Sequence, residues 1–129
     1  MNPVVHFEMP YKDRNRMVGF YESAFGWKHE LLGPEMADYV VARTTEIDPQ
    51  TGFPTEPGRI NGGFYQSTDD TACPSFVIAV EDVAATLERI TAAGGTILAA
   101  PAPIPGVGLY ASFADTEGNR CSILQPEMP

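Results

Sequence analysis

The chain has 129 residues, of which 43% are apolar and 19% charged, with a formal net charge of −9. That length suits a single domain, residues 1–129, which buries about two-thirds of its unfolded surface and needs no staples. The acidic balance argues against a nucleic-acid partner, since phosphate neutralisation needs clustered Lys and Arg.

No apolar run approaches the roughly 18 residues of a membrane span. The opening MNPVVHFEMP has neither a basic n-region nor a long apolar h-region, so a cytoplasmic location without membrane association is expected. Cys73 and Cys121 are expected to be reduced thiols, and their spacing matches no zinc pattern.

In chain order, Val4 to Met9 reads as a strand, and Asp13 as the N-cap of a helix whose apolar face is Met17, Phe20, Tyr21 and Ala24. Gly26 ends that helix. Three strand-like segments follow, at residues 28–32, 38–44 and 60–66, with a Pro- and Gly-rich loop over residues 47–58. His29, next to Trp27-Lys28, reads as a solvated strand residue. Residues 66–74 connect to a second set of elements. These are a strand at Phe76 to Val80, an Asp82 cap, a helix with a Val83, Leu87 and Ile90 stripe, and a Gly94-Gly95 stop. Strand-like segments then recur at 96–100, 108–114 and 120–125, and Thr116-Glu117-Gly118-Asn119 is a turn. With prolines at 101, 103 and 105, residues 99–108 read as a stiff loop.

The two sets are copies. At an offset of 69 residues, Phe7 meets Phe76, Asp13 meets Asp82, Ala24 meets Ala93 and Gly26 meets Gly95. The expected fold is α+β: two βαβββ repeats, about 1–67 and 74–127, forming an open cupped mixed sheet with the helices on its outer face.

Val5-His6-Phe7-Glu8, Phe20-Tyr21, Phe25-Gly26-Trp27, Ala93-Gly94-Gly95, Ile104-Pro105-Gly106-Val107-Gly108 and Asp115-Thr116-Glu117-Gly118-Asn119 cover almost the whole chain. Through them the sequence resembles the vicinal-oxygen-chelate superfamily of glyoxalase I, bleomycin-resistance proteins and extradiol dioxygenases. Its nearest match there is the branch labelled as related to lactoylglutathione lyase. Thr116 stands where that family usually has Pro.

The resemblance implies a ligand held in the sheet cup, a homodimer and, in the metal-binding members, four ligands, one from the first and one from the last strand of each unit. Those positions map here to His6 and Ser75, and, aligning Gln66 with Gln125, to Gly63 and Ser122. Ser122 replaces a carboxylate. Of the four only His6 is a good ligand, because serine hydroxyls are poor ones at neutral pH and glycine has no side chain. No metal and no cofactor are therefore expected.

Glu8 shares a strand face with His6, and alternation turns it away from the helix layer. A carboxylate in a partly apolar cup is a candidate base, and it is equally a charge that reaches water at the rim. Tyr39 and Tyr110 fall at comparable points of the two units. Cys121 alternates with Ser122 and should be buried on the helix side. The candidate ligand-binding set is His6, Glu8, Tyr39, Asn61, Ser75, Tyr110 and Ser122, with His6 and Glu8 the candidates for catalysis. Two functions stay open: a metal-independent binder of a small molecule in the cup, or a lyase, isomerase or dioxygenase-type enzyme on a small carbonyl or aromatic substrate, using His6 and Glu8 or a depleted metal site.

Overall fold

The computed structural model describes residues 1–127. Its elements run β1 (Val4–Tyr11), α1 (Arg14–Phe25), β2 (Lys28–Leu31), a 3-10 turn (Pro34–Met36), β3 (Val40–Arg43), β4 (Asn61–Gln66), β5 (Ser75–Ala79), α2 (Val83–Ala92), β6 (Thr96–Ile104), β7 (Gly108–Ala114) and β8 (Arg120–Pro126). The fold is α+β and is built from two βαβββ modules. The chain divides into two compact units, one of His6–Pro74 and one of Ser75 onward together with Met1–Val5.

The first unit carries strands in the order β2-β3-β4-β1. β1 and β4 are parallel, with Glu8 opposite Gly63, and the other pairs are antiparallel. Alternation sends Phe7, Met9, Tyr11, Val40, Ala42 and Phe64 to one face, where Met17, Val18 and Tyr21 of α1 and Trp27 pack on them. Tyr21 stacks on Trp27 with centroids 4.7 Å apart.

The second unit repeats the plan in the order β5-β8-β7-β6, with β5 parallel to β8 and Val77 opposite Ser122. Its core is Val80, Val83, Ala111 and Ile123, with Ile78, Leu87, Ile90, Leu109 and Phe113 against it. The registers agree with the duplication. Glu8 and Val77 lie 69 residues apart, and their partners Gly63 and Ser122 lie 59 apart, the same offset that joins Gln66 to Gln125.

Both caps form. Asp13 accepts from Arg16 N–H and Asp82 from Ala85 N–H, each at 3.0 Å. Gln125 Oε1 accepts from Val83 N–H, which satisfies another free donor at the start of α2. Gly26 closes α1 at φ 72°, a left-handed conformation that a Cβ would disfavour.

Four expectations need correction. Phe20 does not join the buried face of α1; it is 58% exposed, Ala24 is exposed as well, and Val18 packs instead. The strand expected over 38–44 starts only at Val40, because Ala37 and Asp38 both take positive φ in the preceding turn. Residues 99–104 are not a loop. β6 runs to Ile104 as an outer strand of its unit; a register shift between Ala99 and Ala102 takes up Pro101, Pro103 pairs with Leu109, and an edge tolerates their missing N–H groups. His29 is not solvated. Its side chain is fully buried, opposite Ala42 on the helix side of the sheet, because alternation from exposed Lys28 turns it inward.

Cys121 is buried and Cys73 exposed. Burial, and then the charge of Asp115, push the Cys121 thiol above its ordinary pKa. No helix among the described residues is long and apolar enough to cross a membrane.

Asp82→Ala is expected to lower the unfolding free energy by about 1 kcal/mol, since it removes an N-cap acceptor at an exposed position. Urea denaturation measures this, and an unchanged midpoint would mean that Gln125 alone caps α2.

Candidate functional site

The face of the first unit turned away from α1 carries His6 and Glu8 from β1, Asn61 and Gly63 from β4, and Val41 and Arg43 from β3. The assignment follows by alternation from their buried neighbours Phe7, Gly62 and Ala42. The turn between β2 and β3 delivers Tyr39 to this face. Leu32 N–H donates to Tyr39 O at 2.9 Å, and the Tyr11 hydroxyl donates to Asp38 O at 2.6 Å. Arg14 donates to Leu32 O at 3.1 Å and lies 3.8 Å from the Asp38 carboxylate. The backbone just before Tyr39 is thus held from two directions.

From there the Tyr39 side chain crosses β4. Its phenol occupies the space directly above Gly63, so a Cβ at that position would overlap the hydroxyl and ring. The hydroxyl reaches β1, where Tyr39 Oη lies 3.0 Å from His6 Nε2. His6 is half-buried, and desolvation lowers its pKa, which favours the neutral imidazole. Glu8 stands two residues further along β1, opposite Gly63.

Asn61 sits opposite His6, but its side-chain oxygen accepts from Thr44 N–H at 2.7 Å and Thr45 N–H at 3.0 Å. It secures the end of β3 with the oxygen it would otherwise offer a ligand. The opposite side of β4 mirrors the Tyr39 arrangement. There the Phe7 ring lies on Gly62 so closely that a Cβ would overlap it.

The remaining candidates belong to the second unit. Tyr110 Oη lies 2.6 Å from Ser122 Oγ. Ser122 and its cross-strand neighbour Ser112 are buried. Ser75 is on β5, two residues before Val77, the residue opposite Ser122. The registers make the two tyrosines equivalents. Tyr39 precedes Val40, which faces Phe64, and Tyr110 precedes Ala111, which faces Ile123; Phe64 and Ile123 directly follow Gly63 and Ser122. In both units, then, a phenol reaches the last-strand position, Tyr39 from the turn just before β3 and Tyr110 from β7 itself. The structure groups His6, Glu8, Tyr39 and Asn61 in one unit, and Ser75, Tyr110 and Ser122 in the other.

Sequence reasoning missed Gly63 as the seat of Tyr39, and Tyr11 and Arg14 as its supports. The Gly62-Gly63 pair was the available signal, since adjacent strand glycines mark close approach on both faces. A cavity of about 590 Å³ in the same unit lies on the helix side, lined by Met9, Lys12, Arg16, Met17 and Phe20 among others, and holds none of the candidate residues.

Residues 4–123 match the pattern of the Glyoxalase/Bleomycin resistance protein/Dioxygenase superfamily. The chain belongs to that superfamily. The "Putative glyoxylase CFP32" of Mycobacterium bovis is 46% identical over 48 residues, 37% of this chain and 18% of that protein. The "Probable lactoylglutathione lyase, chloroplastic" of Arabidopsis thaliana is 32% identical over 109 residues, 81% of this chain and 30% of that protein. The chain therefore spans less than a third of the length of either relative. Methylmalonyl-CoA epimerase from Mycobacterium tuberculosis superposes with a TM-score of 0.66 over 97% of this chain and 88% of that one; at 12% identity this is a likeness of fold.

The divalent metal that the superfamily implies does not fit these residues. The last-strand position of the first unit is a glycine whose side-chain volume a phenol fills, and that of the second is a serine already bonded to a phenol. Among the described residues no three His, Cys, Asp or Glu side chains come together as ligands.

Gly63→Ala is expected to cost about 1–3 kcal/mol, because the added methyl must displace the Tyr39 ring. Adding Tyr39→Ala should recover much of that loss. Thermal denaturation of both single variants and the double variant measures the coupling, and strictly additive costs would show that the two residues do not share the space.

Proposed function

We propose that this chain is a metal-independent binder of a small molecule, held on the sheet face away from the helices. The observation that carries the reading is the Tyr39 phenol above Gly63, bonded to His6. It replaces a would-be ligand position with a fixed, uncharged hydrogen-bonding group on a rigid sheet. Membership of the superfamily supports a small-molecule ligand. The Tyr110–Ser122 pair supports the same reading in the second unit.

Zinc, nickel, manganese and iron are expected neither to co-purify nor to raise the melting temperature. A tightly bound metal must stabilise the native state by several kcal/mol at large excess over its dissociation constant. A clear metal-dependent rise that His6→Ala abolishes would refute the reading.

One observation favours a second reading, an enzyme of the lyase or isomerase type. His6 is a half-buried imidazole bonded to a phenol, with a carboxylate on the same strand face. Because burial lowers the His6 pKa, a reaction using it as a base should keep its activity down to a pH below the ordinary histidine value of about 6.5 and fall below that. A pH–rate profile with its acid limb above that value would exclude His6 as the base.

A homodimer is part of the proposal. β2 and β6 end the strand orders of their units, and unpaired strand edges invite covering. Light scattering at micromolar concentration is expected to give the dimer mass, and a monomer mass would overturn this point.

A further inference from the structure

We propose that Arg43 and Asn61 form a carboxylate-binding subsite on the first unit's sheet face, and that the small molecule held there is a monocarboxylic acid. This rests on the reading that the face binds a small molecule, and it adds which end of the ligand is held and by what.

The strand registers set four polar residues in one row across this face: Lys28, Arg43, Asn61 and His6. Lys28 is opposite Arg43, and His6 is opposite Asn61. Ala42 is opposite Gly62, so the next step of that register brings Arg43 beside Asn61. Lys28 and Arg43 are two cations directly opposite one another on an antiparallel pair, an arrangement that destabilises a sheet. Lys28 is compensated, since its Nζ lies 3.2 Å from Glu46 Oε1. Arg43 is half-buried and, among the described residues, has neither an ion pair nor a hydrogen bond. Its guanidinium presents five N–H donors in a planar fork, a shape that a carboxylate fills.

Asn61 supplies a second donor, because its amide can be oriented in one way only. Thr44 N–H at 2.7 Å and Thr45 N–H at 3.0 Å both meet the same terminal atom of its side chain. Backbone N–H groups only donate, so that atom is the oxygen, and the amide nitrogen keeps both its hydrogens. Among the described residues that nitrogen has no acceptor. The same two bonds hold the amide against the residues that directly follow Arg43. A fixed NH2 group therefore stands beside an uncompensated guanidinium.

The next row along the strands is Glu30, Val41, Gly63 and Glu8. Its carboxylates repel an anion and confine negative charge to the Arg43 end. The ligand then lies with its carboxylate at Arg43 and an uncharged body toward Gly63. One guanidinium balances one negative charge, and the chain's net charge of −9 weighs against a dianion such as a phosphate ester.

The test uses the full chain and four probes built on one phenyl ring: benzoate, benzamide, benzylammonium and phenyl phosphate. NMR follows the Arg43 Nε–H, the Asn61 side-chain NH2 and the backbone amides of β1, β3 and β4. Benzoate is expected to shift the Arg43 and Asn61 signals, to bind about tenfold more tightly than its uncharged isostere benzamide, and to outbind the other two probes. Arg43→Gln should weaken benzoate about tenfold and leave benzamide within about twofold, because the charge and the fork are lost together. Without any probe, Arg43→Gln is expected to leave the melting temperature unchanged or to raise it, since it removes a repulsion from Lys28 and no bond.

A lowered melting temperature in Arg43→Gln would show that the guanidinium already has a structural partner, and it overturns the proposal. Tightest binding of benzylammonium or phenyl phosphate, equal affinities for benzoate and benzamide, or an unchanged benzoate affinity in folded Arg43→Gln each overturns it too and leaves the face as a ligand site. If no probe perturbs the face at any concentration up to solubility, the proposal falls together with the small-molecule reading.

Discussion

The absence of two Cβ atoms, at Gly62 and Gly63, organises the first unit. Side chains of successive strand residues point to opposite faces, so a glycine pair thins β4 on both sides at once. On the helix side the Phe7 ring closes onto Gly62 and leads into the packing of Trp27, Tyr21 and Phe64. On the other side Tyr39 closes onto Gly63 and reaches His6 across the strand between them. The core and the candidate site are thus two sides of one local thinning. Neither ring could take its place over an ordinary β4 residue without moving the strand or itself.

The second unit keeps this geometry with different chemistry. Ser122 occupies the position equivalent to Gly63, and because a serine side chain is small and polar the equivalent phenol bonds to it where Tyr39 passes over. The helices differ as well. α2 buries Val83 and Thr86, whereas α1 has no fully buried residue and leaves Phe20 and Phe25 largely exposed. α1 is held mainly through the aromatic stack of Tyr21 on Trp27, and α2 through aliphatic packing on Ile123 and Ala111. Duplication conserved register and connectivity, which backbone pairing dictates, and let side-chain chemistry diverge.

His29 shows a cost within the same fold. Among the described residues neither buried ring nitrogen has a hydrogen-bond partner, and the Glu22 carboxylate on α1 is 3.6 Å from Nδ1. An unsatisfied buried polar group costs about 1–3 kcal/mol. The ring remains there because β2 must place alternate residues toward Phe64 and Ala42, and position 29 is one of them.

What the sequence by itself determined is what depends on local periodicity and on repetition: the class of fold, the two helices with their Asp13 and Asp82 caps, the succession of strands along the chain, the equivalence of Gly63 with Ser122, and that of Tyr39 with Tyr110. These follow from alternation, capping and an offset, none of which needs a distant contact. The fate of Phe20, the burial of His29, the continuation of β6 through Pro101 and Pro103, and the spending of Asn61 on Thr44 and Thr45 belong to the tertiary structure alone. Each depends on which other element lies against the residue, and residues far apart in the chain carry no local trace of that. The His6–Tyr39 bond is of the same kind. It joins residues 33 positions apart across an intervening strand, and it exists only because that strand carries no side chain where the phenol must pass.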